Sequence, residues 1–282
     1  MKSVFCLGLA AAIAIPAPVA SAQAFETVSL DATSRYNGKN VTLRGELLRP
    51  SGAGPFPAVI LMHGCGGWQP SAHQALREHA RHLVDNGFVA LNLDSFEPRR
   101  ISGGWVCKDH SRLAAARVYR QVDAFDAMKF LRGRTFVDPE NIFAMGQSNG
   151  GSVVALLAQN NASILHGERV FSGKPPSFRA LAAFYPWCGT LSDAGVAYGG
   201  LVSPLYVFAG EKDDWTPPKG CRIKNLPGAD YQFIVYPDAL HSFDLNVRER
   251  RYLGHLVGFN SHATFDSRKR MVAFFRAHLI GN

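Results

Sequence analysis

Short, wholly apolar runs alternate with amphipathic stretches along most of the chain. "AVILMHG" (58–64) and "FVALNLD" (88–94) are continuous apolar segments, the pattern of strands buried on both faces. "VTLRGELLRP" (41–50) instead alternates apolar with polar, as a half-exposed strand does, and runs into the turn-rich "SGAGPFP". Between the two buried strands, "SAHQALREHARHLVDNG" (71–87) opens on Ser71, a good N-cap, and closes on Gly87, so it predicts a helix. "RLAAARVYRQVDAFDAMKFLRG" (112–133) carries Leu113, Ala116, Val122, Phe125, Met128 and Leu131 on or near one face of a long helix. "NIFAMG" (141–146) reads as a strand and "GGSVVALLAQN" (150–160) as the start of a helix. "FRALAAFYP" (178–186), "PLYVFAG" (204–210) and "YQFIVYP" (231–237) are further strands, and "FDSRKRMVAFFRAHL" (265–279) is a closing helix. Strands alternating with helices predict an α/β fold, a mostly parallel central sheet with helices on both faces. No repeat and no shift of composition divides the chain, so residues 25–282 read as one domain.

The first residues break this pattern. "MKSVFCLGLAAAIAIPAPVASAQAFE" has one lysine, an apolar run and then small residues, the layout of a secretory signal peptide. Pro16 and Pro18 interrupt the run, which argues against a spanning helix and stable membrane insertion. Cleavage is expected after Ala22 or Ala24, giving a leader over 1–24 and a periplasmic or secreted protein. Cys6 stands too early, among the wrong neighbours, for lipid attachment.

Composition adds limits. Hydrophobic residues make up 47% and charged residues 18%, enough for a sizeable core. The net charge is +8, but the arginines are scattered, and nucleic-acid binding needs a clustered basic footprint. Of five cysteines, four remain outside the leader: Cys65, Cys107, Cys188 and Cys221. They allow three pairings, and with no C-x-x-C spacing a metal site is not expected.

The chemistry centres on "AMGQSNGGS" (144–152). Gly146, Gln147, Ser148, Asn149 and Gly150 form a G-x-S-x-G pattern between a predicted strand and a predicted helix. There a serine hydroxyl is held on a sharp turn at the carboxyl edge of the sheet. A neutral serine needs a base, and that base a carboxylate. Past the strand "PLYVFAG" come Asp213 and Asp214; past "YQFIVYP" comes His241, in the serine–acid–histidine order this kind of fold uses. Of ten histidines, His73, His79, His82 and His278 fall in predicted helices and read as surface residues. His166 lies in a polar loop, and His255 and His262 flank an irregular stretch without metal-ligand spacing. His63 precedes the flexible "GCGGW", whose backbone N–H groups suit an oxyanion; it reads as shaping that hole, with His241 as base.

With these residues in place, the chain over roughly 40–280 resembles the dienelactone hydrolase family of the α/β-hydrolases. The likeness rests on "LMHGCGG", "LDSFEPRR", "MGQSNGG", "FYPWCG", "AGEKDDWTPP" and "YPDALHSFD", in that order. It implies Ser148 as nucleophile, His241 as base, and Asp213 rather than Asp214 as acid, because Pro217 follows four residues later. It also implies backbone N–H donors at Cys65 and Asn149. Founding members of the family carry cysteine where Ser148 stands and glutamate where Gly64 stands, and they are cytoplasmic. The serine version implies a general esterase acting on small-molecule esters or lactones without cofactor or metal. The short spacing between "AAFYP" and "PLYVF" leaves no room for a large cap.

Trp68, Phe96, Trp105, Trp187, Trp215 and Phe243 lie beside the motifs and suggest an aromatic-lined cleft. Arg99 and Arg100 follow a strand end, either as a solvated pair or as ligands for a substrate carboxylate. Neighbouring strand ends bring the loops of Cys65 and Cys107, and of Cys188 and Cys221, within bridging distance, so these are the disulfides expected. Two other readings are a prolyl-oligopeptidase-like peptidase, which usually adds a propeller domain not found here, and a non-catalytic secreted binding protein on a hydrolase fold.

Overall fold

The computed structural model describes residues 24–159, 164–165, 168–169, 177–189, 200–223 and 228–281. The expected leader, up to residue 23, lies outside the described residues, as do His166 and part of the segment where no cap was expected. In chain order the strands are β1 (Glu26–Tyr36), β2 (Lys39–Leu48), β3 (Phe56–Met62), β4 (Val89–Asp94), β5 (Val137–Gln147), β6 (Ile164–Leu165) and β7 (Glu168–Arg169). They continue with β8 (Leu181–Phe184), β9 (Leu205–Gly210), β10 (Tyr231–Tyr236), β11 (Arg250–Tyr252) and β12 (His255–Val257). The helices are α1 (Pro70–Asp85), α2 (His110–Arg132), α3 (Asn149–Leu157) and α4 (Ser261–Ala277).

Eight strands form one sheet in the order β1-β2-β4-β3-β5-β8-β9-β10. From β4 to β10 every pair is parallel, while β1–β2 and β2–β4 are antiparallel. The two-residue period of a strand explains why the central strands are apolar throughout. Ala58, Ile60 and Met62 of β3 join the core beneath α2 and α3, while Val59 and Leu61 join the core on the opposite face, with Leu76 and Leu83 of α1 and Met271 and Phe275 of α4. The β5 strand repeats this, with Ile142 and Ala144 on one side and Phe143 and Met145 on the other. Edge strand β1 alternates exposed with more buried positions, and it carries no apolar run by which the sequence pattern would reveal it.

Helix boundaries depart slightly from the sequence pattern. Ser71 does not cap α1; the helix starts at Pro70, whose ring presets the first helical φ. Gly87 follows its end at φ +90°, a conformation glycine adopts without strain. Asp109 caps α2 by accepting the Arg112 N–H at 3.0 Å, and Asn260 caps α4 by accepting that of Ala263 at 3.0 Å. Both helices therefore start earlier than their apolar periodicity alone indicates.

Candidate active site

The chain leaves β3 for β4 on one side and returns to β5 on the other, so the loops after β3 and β5 diverge. This switch point opens a crevice at the carboxyl edge of the sheet. Gly64 lies on one side of it and Ser148 on the other. Ser148 has φ 51° and ψ −116°, a sparsely populated conformation for a residue with a side chain. Its N–H donates to the Phe184 carbonyl at 2.9 Å. Two glycines make the turn possible: a Cβ on Gly146 would lie 2.3 Å from the Gly150 carbonyl oxygen, and one on Gly150 would lie 2.3 Å from that of Met62. Gly64 faces the serine closely, since a Cβ there would come 3.3 Å from Ser148 Cβ.

His241, in the loop after β10, places Nε2 3.0 Å from Ser148 Oγ. Its Nδ1 lies 2.8 Å from Asp213 Oδ2. The other Asp213 oxygen accepts the N–H groups of Trp215 (2.9 Å) and Thr216 (2.8 Å), and the Thr216 hydroxyl lies 2.8 Å from Oδ2. Burial works to raise the Asp213 carboxyl, but the charge and bond of His241 and the donors of Thr216 together hold it below the ordinary carboxylate value. It stays ionised. Asp214 points elsewhere: it is exposed, accepts the Leu256 N–H at 3.1 Å and lies 3.5 Å from His255.

Beneath this line lies a buried hub that the sequence pattern does not reveal. Asp244 accepts from His79 Nε2 (2.7 Å), Gln147 Nε2 (2.7 Å) and the Tyr185 hydroxyl (2.6 Å). Burial favours its neutral acid, but these donors, His79 foremost, outweigh that and hold its pKa below the ordinary carboxylate value. His79 is thus not the surface residue its predicted helix suggested; it is fully buried. The available signal was its spacing, four residues after Ala75 and four before Leu83, on the buried face of α1. Tyr185 in turn sets its ring edge-on to His241, with centroids 4.8 Å apart.

Arg120 is the second such residue. Fully buried on α2, it donates to the His63 carbonyl at 2.5 Å and to Asn149 Oδ1 at 2.8 Å. Burial, outweighing its neighbours, lowers its pKa to about 10. It thereby ties the end of β3 to the start of α3. The His63 ring is itself buried; its Nδ1–H donates to the Gly64 carbonyl (2.7 Å) and its Nε2 accepts the Ser95 N–H (3.2 Å). It braces the backbone before Cys65 from behind.

Two clefts meet at Ser148. One, of about 230 Å³, is bordered by Gly64, Cys65, His241, Trp215, Leu245 and Tyr252. The other, of about 240 Å³, is bordered by Leu113, Arg117, Asn149, Trp187, Trp215 and Thr216. Trp215 and Trp187 therefore stand where an aromatic lining was expected. The other expected lining residues do not. Phe96 is buried against His63, with ring centroids 4.5 Å apart, and Phe243 is buried among Phe184, Tyr185 and Tyr236. Trp68 stacks on His73 under Arg44, outside both clefts. Arg99 is buried in a two-point ion pair with Asp123 (2.9 and 2.7 Å), so it has no free face for a carboxylate. Arg100 and Trp105 border a separate depression near Lys39. A buried arginine needs partners, and Asp123 takes up the Arg99 guanidinium at two points; the phenylalanines lack a polar end to keep them at a wet edge. Tyr252, Leu245 and the α2 residues Leu113 and Arg117 were missed as lining.

The structure joins Cys65 to Cys107 and Cys188 to Cys221, with Cα separations of 5.0 and 5.1 Å. The first ties the turn after β3 to the segment leading into α2. The second ties the loop after β8 to the turn that follows Asp213. Among the described residues no helix is long and apolar enough to cross a membrane.

Sheet order and crevice define an α/β-hydrolase. The chain belongs to the dienelactone hydrolase family, whose model matches residues 43–279. A comparison with curated proteins gives no match. Among solved structures, a dienelactone hydrolase-like promiscuous phosphotriesterase from metagenomic libraries is 20% identical, with a TM-score of 0.63, and covers 90% of this chain and 99% of its own. A thermophilic esterase from the Planctomycetes species Thermogutta terrifontis, with propionate bound, is 18% identical, with a TM-score of 0.60, and covers 90% and 96%.

Proposed function

We propose that the protein is a serine hydrolase that cleaves carboxylic esters or lactones through an acyl-enzyme. The observation that carries this reading is the line Ser148 Oγ–His241 Nε2–Asp213 Oδ2, with steps of 3.0 and 2.8 Å. His241 takes the Ser148 proton as Oγ attacks the ester carbonyl, and ionised Asp213 holds the imidazolium that forms. Asn149 opens α3, so its N–H has no partner within the helix; with the Cys65 N–H it receives the oxyanion. Each such donor contributes about 3 kcal/mol. His241 then protonates the leaving alcohol, and water releases the acyl group by the same steps in reverse. The esterase and phosphotriesterase named above are in keeping with an ester-type electrophile. The leader-like first 24 residues and the two disulfides support a periplasmic or secreted location, with residues 25–282 as a single catalytic domain.

A fluorophosphonate probe should label Ser148 in the wild type and not in Ser148→Ala; an unlabelled wild type would leave a binding protein as the better reading. A panel of nitrophenyl esters against peptide anilides separates esterase from peptidase. N-terminal sequencing of the protein recovered from a bacterial periplasm or medium tests cleavage after Ala22 or Ala24.

A further inference from the structure

The cleft on the α2 side of Ser148 has a charge that the reaction above does not use. His110, Leu113 and Arg117 lie at helical spacing on one face of α2, and all three border this cleft. Arg117 is partly buried, and its guanidinium stacks over Trp187, 4.9 Å from the ring centroid. Other buried or partly buried arginines have a partner: Arg99, Arg77 and Arg268 pair with Asp123, Glu46 and Glu78, while Arg120, Arg112 and Arg179 donate to neutral oxygens. Among the described residues no carboxylate pairs with Arg117, and none of those bordering the cleft is acidic. Burial lowers its pKa, with no acid working the other way. Removing a cation from water without a partner is unfavourable, and a bound anion would offset that.

We propose that this cleft is a subsite for the half of the ester that carries a carboxylate, with Arg117 gripping the carboxylate and Trp187 and Leu113 covering the hydrocarbon that links it to the scissile bond. This rests on reading Ser148 as the nucleophile. One guanidinium suits a carboxylate, which it can meet with two parallel N–H bonds. The cleft volume of about 240 Å³ accommodates a short or single-ring acid. The opposite cleft, bordered by Leu245, Val247 and Tyr252, then receives the neutral half. Arg250 borders that cleft too, but it is exposed and solvated.

Matched ester pairs test this. Acetoxybenzoate against acetoxytoluene places the charge on the alcohol half; the nitrophenyl monoester of adipate against nitrophenyl hexanoate places it on the acyl half. Wild type should favour the charged member of at least one pair. In Arg117→Met the charged-to-neutral ratio of kcat/KM should fall about 10- to 100-fold, mostly through KM, the loss expected for one charge-assisted contact. Arg117→Lys should fall between. Benzoate should quench tryptophan fluorescence saturably in the wild type and not in Arg117→Met. Unchanged ratios in the variant, or equal benzoate binding by both proteins, would overturn the subsite. If no ester of either kind is turned over, the Ser148 reading fails, and the benzoate titration alone decides the subsite.

Discussion

His79 Nε2 lies 2.7 Å from Asp244 Oδ2 with both side chains fully buried, and this pair links α1 to the loop that carries His241. Gln147, beside Ser148, and Tyr185, against the His241 ring, donate to the same carboxylate. Asp244→Ala would leave three buried donors without an acceptor. It should destabilise the protein by about 3–5 kcal/mol, the usual result of removing one partner of a buried charged network. Asp244→Asn, which keeps one acceptor oxygen, should cost less. Urea unfolding measures both; a loss under about 1 kcal/mol for the alanine variant would mean the hub is not a support.

The two neighbouring aspartates should separate sharply. Asp213→Asn should lower turnover by about 10⁴-fold, because the His241 ring loses the partner that orients it. Asp214→Asn removes an acceptor from the Leu256 N–H at the surface and should leave turnover within a few-fold. Steady-state kinetics on one nitrophenyl ester decides the assignment, and the reverse order would reassign the acid.

Acid should weaken the fold before its paired carboxylates titrate. Burial, the largest cause in each case, holds His63 and His79 below the ordinary histidine value of 6.5, well below for His63. The unfolded chain therefore binds protons that the folded one refuses. Their contribution is complete above pH 6.5 and declines as pH falls toward their folded values, by at most about 1.4 kcal/mol per histidine per pH unit. Asp213 and Asp244, held low, keep theirs until below 3.8. Burial raises Asp94 and Asp123, which act in the opposite sense. The decisive measurement is thus a difference: urea midpoints at pH 8 and pH 5 should diverge less in His63→Gln than in wild type.

Periodicity made the sheet legible because β3, β4 and β5 are buried on both faces and so are apolar throughout. It missed β1, which shows one face to solvent, and the β11–β12 hairpin, only three residues a side. At the site, Ser148, His241 and the aspartates were legible because strand ends and glycines announce them locally. His79, Arg120 and Asp244 were not. Each is polar in an apolar setting, and only long-range partners, 29 to 165 residues away, make that setting tolerable. Arg99 misled for the same reason, since Asp123, which holds it away from the site, looked like one more polar position on α2.

Arg120 gives the last test, because its effects on stability and on rate should part company. It is a fully buried cation with no carboxylate at ion-pair distance among the described residues, and its two bonds go to neutral oxygens of His63 and Asn149. Arg120→Met removes the desolvated charge, which favours the variant, and leaves two acceptors unfilled, which costs about 1–3 kcal/mol. The unfolding free energy should therefore shift by no more than about 2 kcal/mol. The rate is another matter. The two segments that Arg120 ties together carry the Cys65 and Asn149 N–H groups proposed to receive the oxyanion, and on that proposal a shift of either spoils a donor felt only once the oxyanion has formed. Turnover should then fall about 10- to 100-fold with KM little changed, the signature of an interaction made in the transition state. A variant that unfolds early yet turns over normally per folded molecule would show Arg120 to be ordinary packing.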